Sequence, residues 1–374
     1  MPLSPPDADA DADARLPVTV VTSVDPVLRD LATAAALWDV PRVVVARYDL
    51  GPQSLRRVVS DLSGVLEDVT VPLEHACLGC AQREDVLPLL AALAASGRAD
   101  AVVLALPVAA EPAPVVHALG ADDQVAGVVR LAGVVAAVAG ASLVDDVLGD
   151  ALLSELGLPD LEGDDRAVGE VLAHQLDEAD LVLADADLHP RASALLQHLC
   201  GPAIATSTVA EIGGAAVLAP RRPAAGSRAD LRRARHHGVP DGCGVWTLEL
   251  SSPRAFHPGR LLERIEDLGA GRLRARGSFW LPSRPGTLCA WDGAGGRLSI
   301  GGLGGWGLDT PRTHLVVTGT QLGDRDRLRA AFGDVLATPA EEAALRERAA
   351  GGAGDGLEPW LGEVPAGHGV PAGE

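Results

Sequence analysis

Short apolar runs alternate with helix-spaced stretches through most of the first half of the chain. Leu16–Thr22 (LPVTVVT) is a β-branched run that predicts a buried strand, and Pro26–Leu37 follows it with apolar residues at helical spacing. Arg42–Tyr48, Asp68–Leu73, Ala101–Leu106, Gly133–Ala139 and Asp180–Ala184 give further strands. Between them, Arg83–Ala95 carries Leu at helical intervals, with acids at its start that suit the helix dipole, and Val168–Glu178 is another helix. Continuously apolar strands separated by helices indicate an α/β fold, with a mostly parallel sheet covered on both faces.

The pattern changes after Ala219–Ser227 (APRRPAAGS), a Pro/Gly/Arg-rich linker. Gly244–Leu250 alternates as a half-exposed strand does, and Pro258–Asp267 has helical spacing. Strand-like pieces follow at Arg272–Leu281, Leu288–Trp291, Arg297–Ile300 and His314–Thr318, then a helix at Asp324–Phe332. These predict a smaller α+β domain with an antiparallel sheet. The expected division is a disordered acidic tail over 1–15, an α/β domain over 16–218, a linker over 219–241, an α+β domain over 242–345 and a disordered tail over 346–374.

Composition narrows the chemistry. The formal net charge is -20, which argues against broad, non-specific binding to nucleic-acid phosphates but leaves room for local contact through an Arg cluster. The acidic, Pro-containing start is no secretory leader, the apolar run Val128–Leu143 is short for a membrane span and interrupted by Arg130, and five Cys make no secreted disulfide framework. The expected compartment is the cytoplasm. The sequence holds neither Lys nor Asn, so no step requiring an ammonium or an Asn amide from this chain can occur.

Cys77-Leu78-Gly79-Cys80 can chelate one zinc ion or another soft metal, with His75 and Glu74 near in sequence, but a closed site needs two more ligands. Redox chemistry and simple packing are the other readings of the pair. Cys200, Cys243 and Cys289 are scattered and read as small buried hydrophobes. His236-His237 sits beside Arg232, Arg233 and Arg235 and reads as a solvated basic patch. With Arg221, Arg222 and Arg228, this is the most basic section and the best place for contact with an acidic partner or RNA. Arg272, Arg274 and Arg276 alternate along one strand, giving an anion-facing surface or a solvated sheet face paired with acids.

The order of four segments resembles the CobW family of GTPases. They are HACLGCAQREDVLPLL (His75–Leu90), AAEPAPVVHAL (Ala109–Leu119), QLDEADLVLADADL (Gln175–Leu188) and FHPGRLLERIEDLGAGRLRARGSFWLPSRP (Phe256–Pro285). The resemblance implies a P-loop-type α/β domain followed by a CobW-type C-terminal domain. The family handles metals, mostly zinc or cobalt, using GTP, and often carries a His-rich metal stretch of which His236-His237 would be a remnant. Its phosphate loop, Gly-x-x-x-x-Gly-Lys-Ser/Thr, should follow the first strand, where Ser23-Val24-Asp25-Pro26-Val27-Leu28-Arg29-Asp30 stands instead. Ala105 and Val108 replace the Glu and Gly of Glu-x-x-Gly, and Asn-Lys-x-Asp becomes Ala184-Asp185-Ala186-Asp187. Asp187 alone survives, as a vestigial guanine reader or a plain loop acid, and Arg29 is near enough to stand in for the phosphate Lys without restoring the loop. Neither GTP binding nor hydrolysis is expected, and the first reading is non-enzymatic.

One actinobacterial branch of the family, the ribosome hibernation factor-recruiting branch, shares four features with this chain. These are the reduced Cys77/Cys80 motif, Phe256-His257-Pro258-Gly259-Arg260-Leu261, Arg274-Ala275-Arg276-Gly277-Ser278-Phe279-Trp280-Leu281, and the missing phosphate loop. That resemblance implies a zinc-linked adaptor whose partners are a ribosome hibernation factor and the small ribosomal subunit. The alternative is a zinc or cobalt chaperone or insertase with residual nucleotide binding and a client metalloprotein.

Overall fold

The computed structural model describes residues 14–38, 40–51, 53–72, 82–158, 161, 163–219 and 228–364. Contacts divide the chain into two compact units. One takes the described parts of Met1–Leu143, Leu152–Ala192 and Ala203–Ser227; the other takes Val144–Ala151, Ser193–Pro202 and the described part of Arg228–Glu374. Two short segments assigned by sequence to the first domain thus belong to the second.

In the first unit the elements run β1 (Leu16–Ser23), α1 (Pro26–Trp38), β2 (Val43–Gly51), β3 (Ser54–Asp61), β4 (Gly64–Pro72), a π-helical turn (Gln82–Val86), α2 (Leu87–Ser96), β5 (Ala101–Ala105), α3 (Ala113–Ala121) and β6 (Val129–Val138). After α4 (Val168–Glu178) come β7 (Leu181–Ala184) and β8 (Ala205–Thr208). They form an eight-stranded sheet in the order β4-β3-β2-β5-β1-β6-β7-β8. Strands β2, β5, β1, β6 and β7 are parallel, as the apolar runs predict, and β8, a polar ATST segment that the pattern does not mark as a strand, adds parallel to β7. β5 is buried at every position because both faces are covered. Leu87 and Leu90 of α2 with Val115 and Leu119 of α3 close one face. Leu28, Ala32 and Ala36 of α1 close the other.

The edge departs from the prediction. One strand was expected at Asp68–Leu73, whereas β3 and β4 form an antiparallel hairpin. Its turn is set by Asp61, whose Oδ1 accepts the Ser63 N–H at 2.7 Å. β3 reads SLRRVVSD, with too few apolar residues in a row to register as a buried strand.

The second unit carries β9 (Trp246–Ser252), α5 (Pro258–Gly269), β10 (Leu273–Phe279), β11 (Thr287–Ala294), β12 (Arg297–Gly305), β13 (Thr313–Gly319), α6 (Leu322–Val335) and α7 (Pro339–Ala350). Its five strands are antiparallel in the order β12-β11-β10-β13-β9. Leu261 and Leu268 of α5 and Leu328 and Phe332 of α6 pack on Trp246, Phe279 and Trp291. The Phe256 and Phe279 ring centroids lie 5.4 Å apart. Gly277 in β10 has φ +155, and a Cβ there would stand 2.0 Å from the His314 carbonyl oxygen. The glycine of Arg274-x-Arg276-Gly277 is therefore required by the close approach of β13.

Three expectations are corrected in this unit. Arg274 and Arg276 do lie on one sheet face, but they are 2% and 5% exposed. Arg274 pairs with Asp292, while Arg276 donates to the Arg228 carbonyl at 2.9 Å. The face is covered rather than solvated. Residues 228–241, expected as linker, include the buried Ala234 and Val239 and are bound to that sheet. The region from 346, expected as a disordered tail, is ordered as far as residue 364. Asp355 there forms a two-pronged pair with buried Arg284, at 2.8 and 3.0 Å, and Leu357 is fully buried. Trp291 and Trp280 are buried, whereas Trp306 is half-buried.

Candidate functional site

In a parallel sheet the functional edge is where the strands end and helices begin, because helix N-termini present unpaired N–H groups there. β1 ends at Ser23, whose Oγ donates to the Ala137 carbonyl at 2.7 Å and accepts the Asp25 N–H at 3.0 Å. Asp25 then turns its carboxylate onto α1: Oδ1 accepts from Val27 N–H at 2.7 Å and Leu28 N–H at 3.1 Å. Pro26, at the first helical position, has no N–H to offer. The donors that would wrap a phosphate are thus consumed by an anion the chain itself supplies.

The neighbouring loop is equally committed. Leu106 N–H bonds the Val21 carbonyl and Ala109 N–H the Ser23 carbonyl, both at 2.9 Å. Ala109 holds φ +59, a left-handed conformation uncommon outside glycine. Thr22 Oγ1 and Gln175 Nε2 both donate to the Ala110 carbonyl, at 2.8 and 2.9 Å. Arg29 is 3% exposed; it pairs with Asp49 at 2.8 Å and Asp30 at 3.1 Å and reaches the Tyr48 and Leu106 carbonyls. Its charge is spent inside the fold rather than offered to a phosphate.

Beyond β7, Asp187 is exposed. It is Asp185 that has a structural task, accepting the Gly140 N–H at 2.7 Å. The capping role of Asp25 was not anticipated, although Asp-Pro at a strand-to-helix junction is an N-cap followed by a favoured first residue.

Cys77 and Cys80, with Glu74 and His75, lie outside the described residues. The chain on either side of them is firmly tied. β4 ends at Pro72, paired with Ser54. In the π-turn, Asp85 accepts from the Tyr48 hydroxyl at 2.7 Å and from Arg57 at 2.5 Å. Burial, then the Asp85 carboxylate, holds the Tyr48 hydroxyl above its ordinary range. Among the described residues, no group of three or more His, Cys, Asp or Glu is arranged to hold a metal. Cys200 and Cys289 are buried, as expected, whereas Cys243 is exposed. Burial pushes the Cys289 thiol up to about 12, which suits inert packing. His237 is pushed down to about 4 by burial and by Arg276 and Arg235, so it is neutral. No described helix is long and apolar enough to cross a membrane.

Comparison with known proteins agrees with this architecture. The model for the cobalamin synthesis protein cobW C-terminal domain matches residues 245–336, and that for the CobW/HypB/UreG nucleotide-binding domain matches 56–202. A Mycobacterium tuberculosis protein named zinc chaperone Rv0106 is 31% identical over 312 residues, 78% of this chain and 74% of that protein. The chain belongs to the CobW family. An uncharacterized protein of Mycobacterium bovis, Mb0109, matches this CobW protein to the same extent. The crystal structure of Zn(II)-bound YjiA GTPase from E. coli is 14% identical, covers 86% of the CobW chain here and 99% of its own, and superposes with a TM-score of 0.36. The nucleotide-binding match begins in β3, downstream of β1 and the Asp25 cap.

Proposed function

We propose that this CobW-family chain is a zinc-linked cytoplasmic adaptor that works without hydrolysing GTP and helps recruit a ribosome hibernation factor to the small ribosomal subunit when zinc is limiting. One observation carries the non-hydrolysing part. The N-terminus of α1, where a phosphate loop would hold the nucleotide, is closed by Asp25 on Val27 and Leu28. Phosphate would meet a carboxylate instead of free N–H groups, with no Lys anywhere in the chain to offset it. The zinc part is supported by Cys77 and Cys80 and by the name of the mycobacterial relative. The partner rests on the four sequence features shared with the hibernation factor-recruiting branch.

A second reading, a zinc chaperone or insertase with residual nucleotide binding, is favoured by the same relative's name. A fluorescent GTP analogue separates the two. The adaptor reading expects no Mg²⁺-dependent binding at micromolar nucleotide, and such binding would sink it. Zinc is measured on purified protein beside a Cys77→Ser/Cys80→Ser double variant, which should lose metal; equal zinc in both removes the cysteine pair from the account. Affinity purification from zinc-starved cells should recover small-subunit ribosomal proteins together with a hibernation factor, whereas recovery of metalloenzymes alone would favour the chaperone.

A further inference from the structure

The segment from Arg228 to Val239 is a strap fixed to the sheet of the second unit. Two side chains of that sheet hold its backbone. Buried Arg276 donates to the Arg228 carbonyl at 2.9 Å, and the His314 ring Nε2 lies 2.9 Å from the Ala234 carbonyl. Asp230 caps the single 3-10 turn at Leu231–Arg233 by accepting the Arg232 N–H at 3.1 Å. Ala234 and Val239 are buried. With its inner side committed, the strap turns Arg232, Arg233 and Arg235 outward, and all three are exposed.

Their charge is poorly compensated. Residues 230–238 hold three arginines against one aspartate, in a chain of net charge -20. Arg233 is paired with Asp230 at a loose 3.7 Å while 68% exposed. Arg232 donates to the Leu303 carbonyl and has no carboxylate partner among the described residues. Most arginines elsewhere in this unit are matched to acids, as Arg260 is to Glu341 and Arg284 to Asp355.

Beside the strap runs β12, the edge strand of the sheet, with the sequence RLSIGGLGG. Arg232 lies against its backbone: a Cβ on Gly304 would be 3.7 Å from Arg232 Nη2. A Cβ placed at Gly301 would meet nothing within 4 Å. Half-exposed Trp306 follows directly. Outward arginines, an open glycine backbone and an adjacent indole together suit a single-stranded polyanion that carries bases, because phosphates pair with guanidinium groups while bases stack on aromatic rings.

We propose that the strap and β12 form a contact for the backbone of single-stranded RNA, with Arg232, Arg233 and Arg235 on phosphates. An acidic protein segment is the competing occupant. It is the weaker fit because it would use the arginines but leave the adjacent Trp306 indole without a base to stack on it. The contact stands on the strap's own geometry and survives if the hibernation-factor reading fails.

The test is fluorescence anisotropy with a labelled oligouridine of about twelve nucleotides and the full chain. Three phosphate contacts predict that affinity falls about 20-fold between about 50 mM and about 200 mM salt, and only about threefold for Arg232→Ala/Arg235→Ala, which leaves one contact. Arg264→Ala/Arg329→Ala, which removes the same charge from exposed arginines of α5 and α6 paired with Asp267 and Asp326, is the control for net charge and should change little. No binding at low salt would overturn the proposal, as would an equal loss in the control. A poly-glutamate peptide that displaces the RNA at equal charge concentration would assign the patch to acidic protein instead. Circular dichroism of each variant should match the parent, since both strap side chains are exposed.

Discussion

Replacing Asp25 with Ala tests the closed N-terminus of α1 directly. The substitution removes both side-chain hydrogen bonds to the first turn, at 2.7 and 3.1 Å, and strands the Val27 and Leu28 donors. Loss of an N-cap costs about 1 kcal/mol, and loss of a carboxylate at the positive end of the helix dipole adds about 0.3–1 kcal/mol. Part of that is returned because Val27 N–H lies at the surface and can bond water. The net expectation is about 1–2 kcal/mol, or a fall in Tm of about 3–6 °C for a unit of this size. Asp25→Asn keeps an acceptor while removing the charge and should recover most of the loss, leaving about 0.3–1 kcal/mol. Urea unfolding of the parent and both variants reads these differences. Neither variant should gain GTP binding, because opening the helix end restores neither the glycine loop nor a Lys. Two results would refute the reasoning: Asp25→Ala as stable as the parent, or Asp25→Ala binding the GTP analogue with Mg²⁺ at micromolar concentration.

Other consequences follow in the second unit. Asp355→Ala leaves the Arg284 guanidinium buried without its carboxylate, and should cost about 3–5 kcal/mol in thermal or urea unfolding. The Asp355 carboxyl, despite burial, is held below the ordinary carboxylate range by Arg284 and Ser283, so its contribution is present above that range and lost as pH falls through its lowered value. Gly277→Ala places a Cβ against the His314 carbonyl and should cost more than about 3 kcal/mol, read as lost soluble yield or rapid proteolysis within 228–364. His237 binds its proton more weakly folded than unfolded, so its burial destabilises the fold progressively as pH falls from 6.5 to about 4. A His237→Gln variant should lose less stability than the parent between those limits, and an unchanged acid limb would contradict the buried neutral imidazole.

The sequence by itself determined that the first unit holds a mostly parallel sheet, the succession of most of its apolar strands along the chain, and the main C-terminal strands and helices. Runs such as AVVLA or GVVAAV have one stable solution, burial between two helical layers, and VWTLEL and HLVVT need a packed sheet. It also determined that the pattern Gly-x-x-x-x-Gly-Lys-Ser/Thr does not follow β1, where SVDPVLRD stands, in a chain without Lys. What the tertiary structure decided are the fates of charged groups, because a charge is read from sequence without its partner. Arg29 looked available for phosphate and is instead buried on Asp49 and two carbonyls. Asp25 stood only as a departure from the phosphate-loop pattern and is the cap on the first turn of α1. Arg274 and Arg276 looked like a solvated face and are covered by segments distant in the chain. Arg232 and Arg235 looked like linker and are fixed outward by a sheet whose own Arg276 and His314 side chains hold the strap's backbone. Local pattern sets where the backbone goes; only long-range packing decides which ions are consumed inside and which remain to meet a partner.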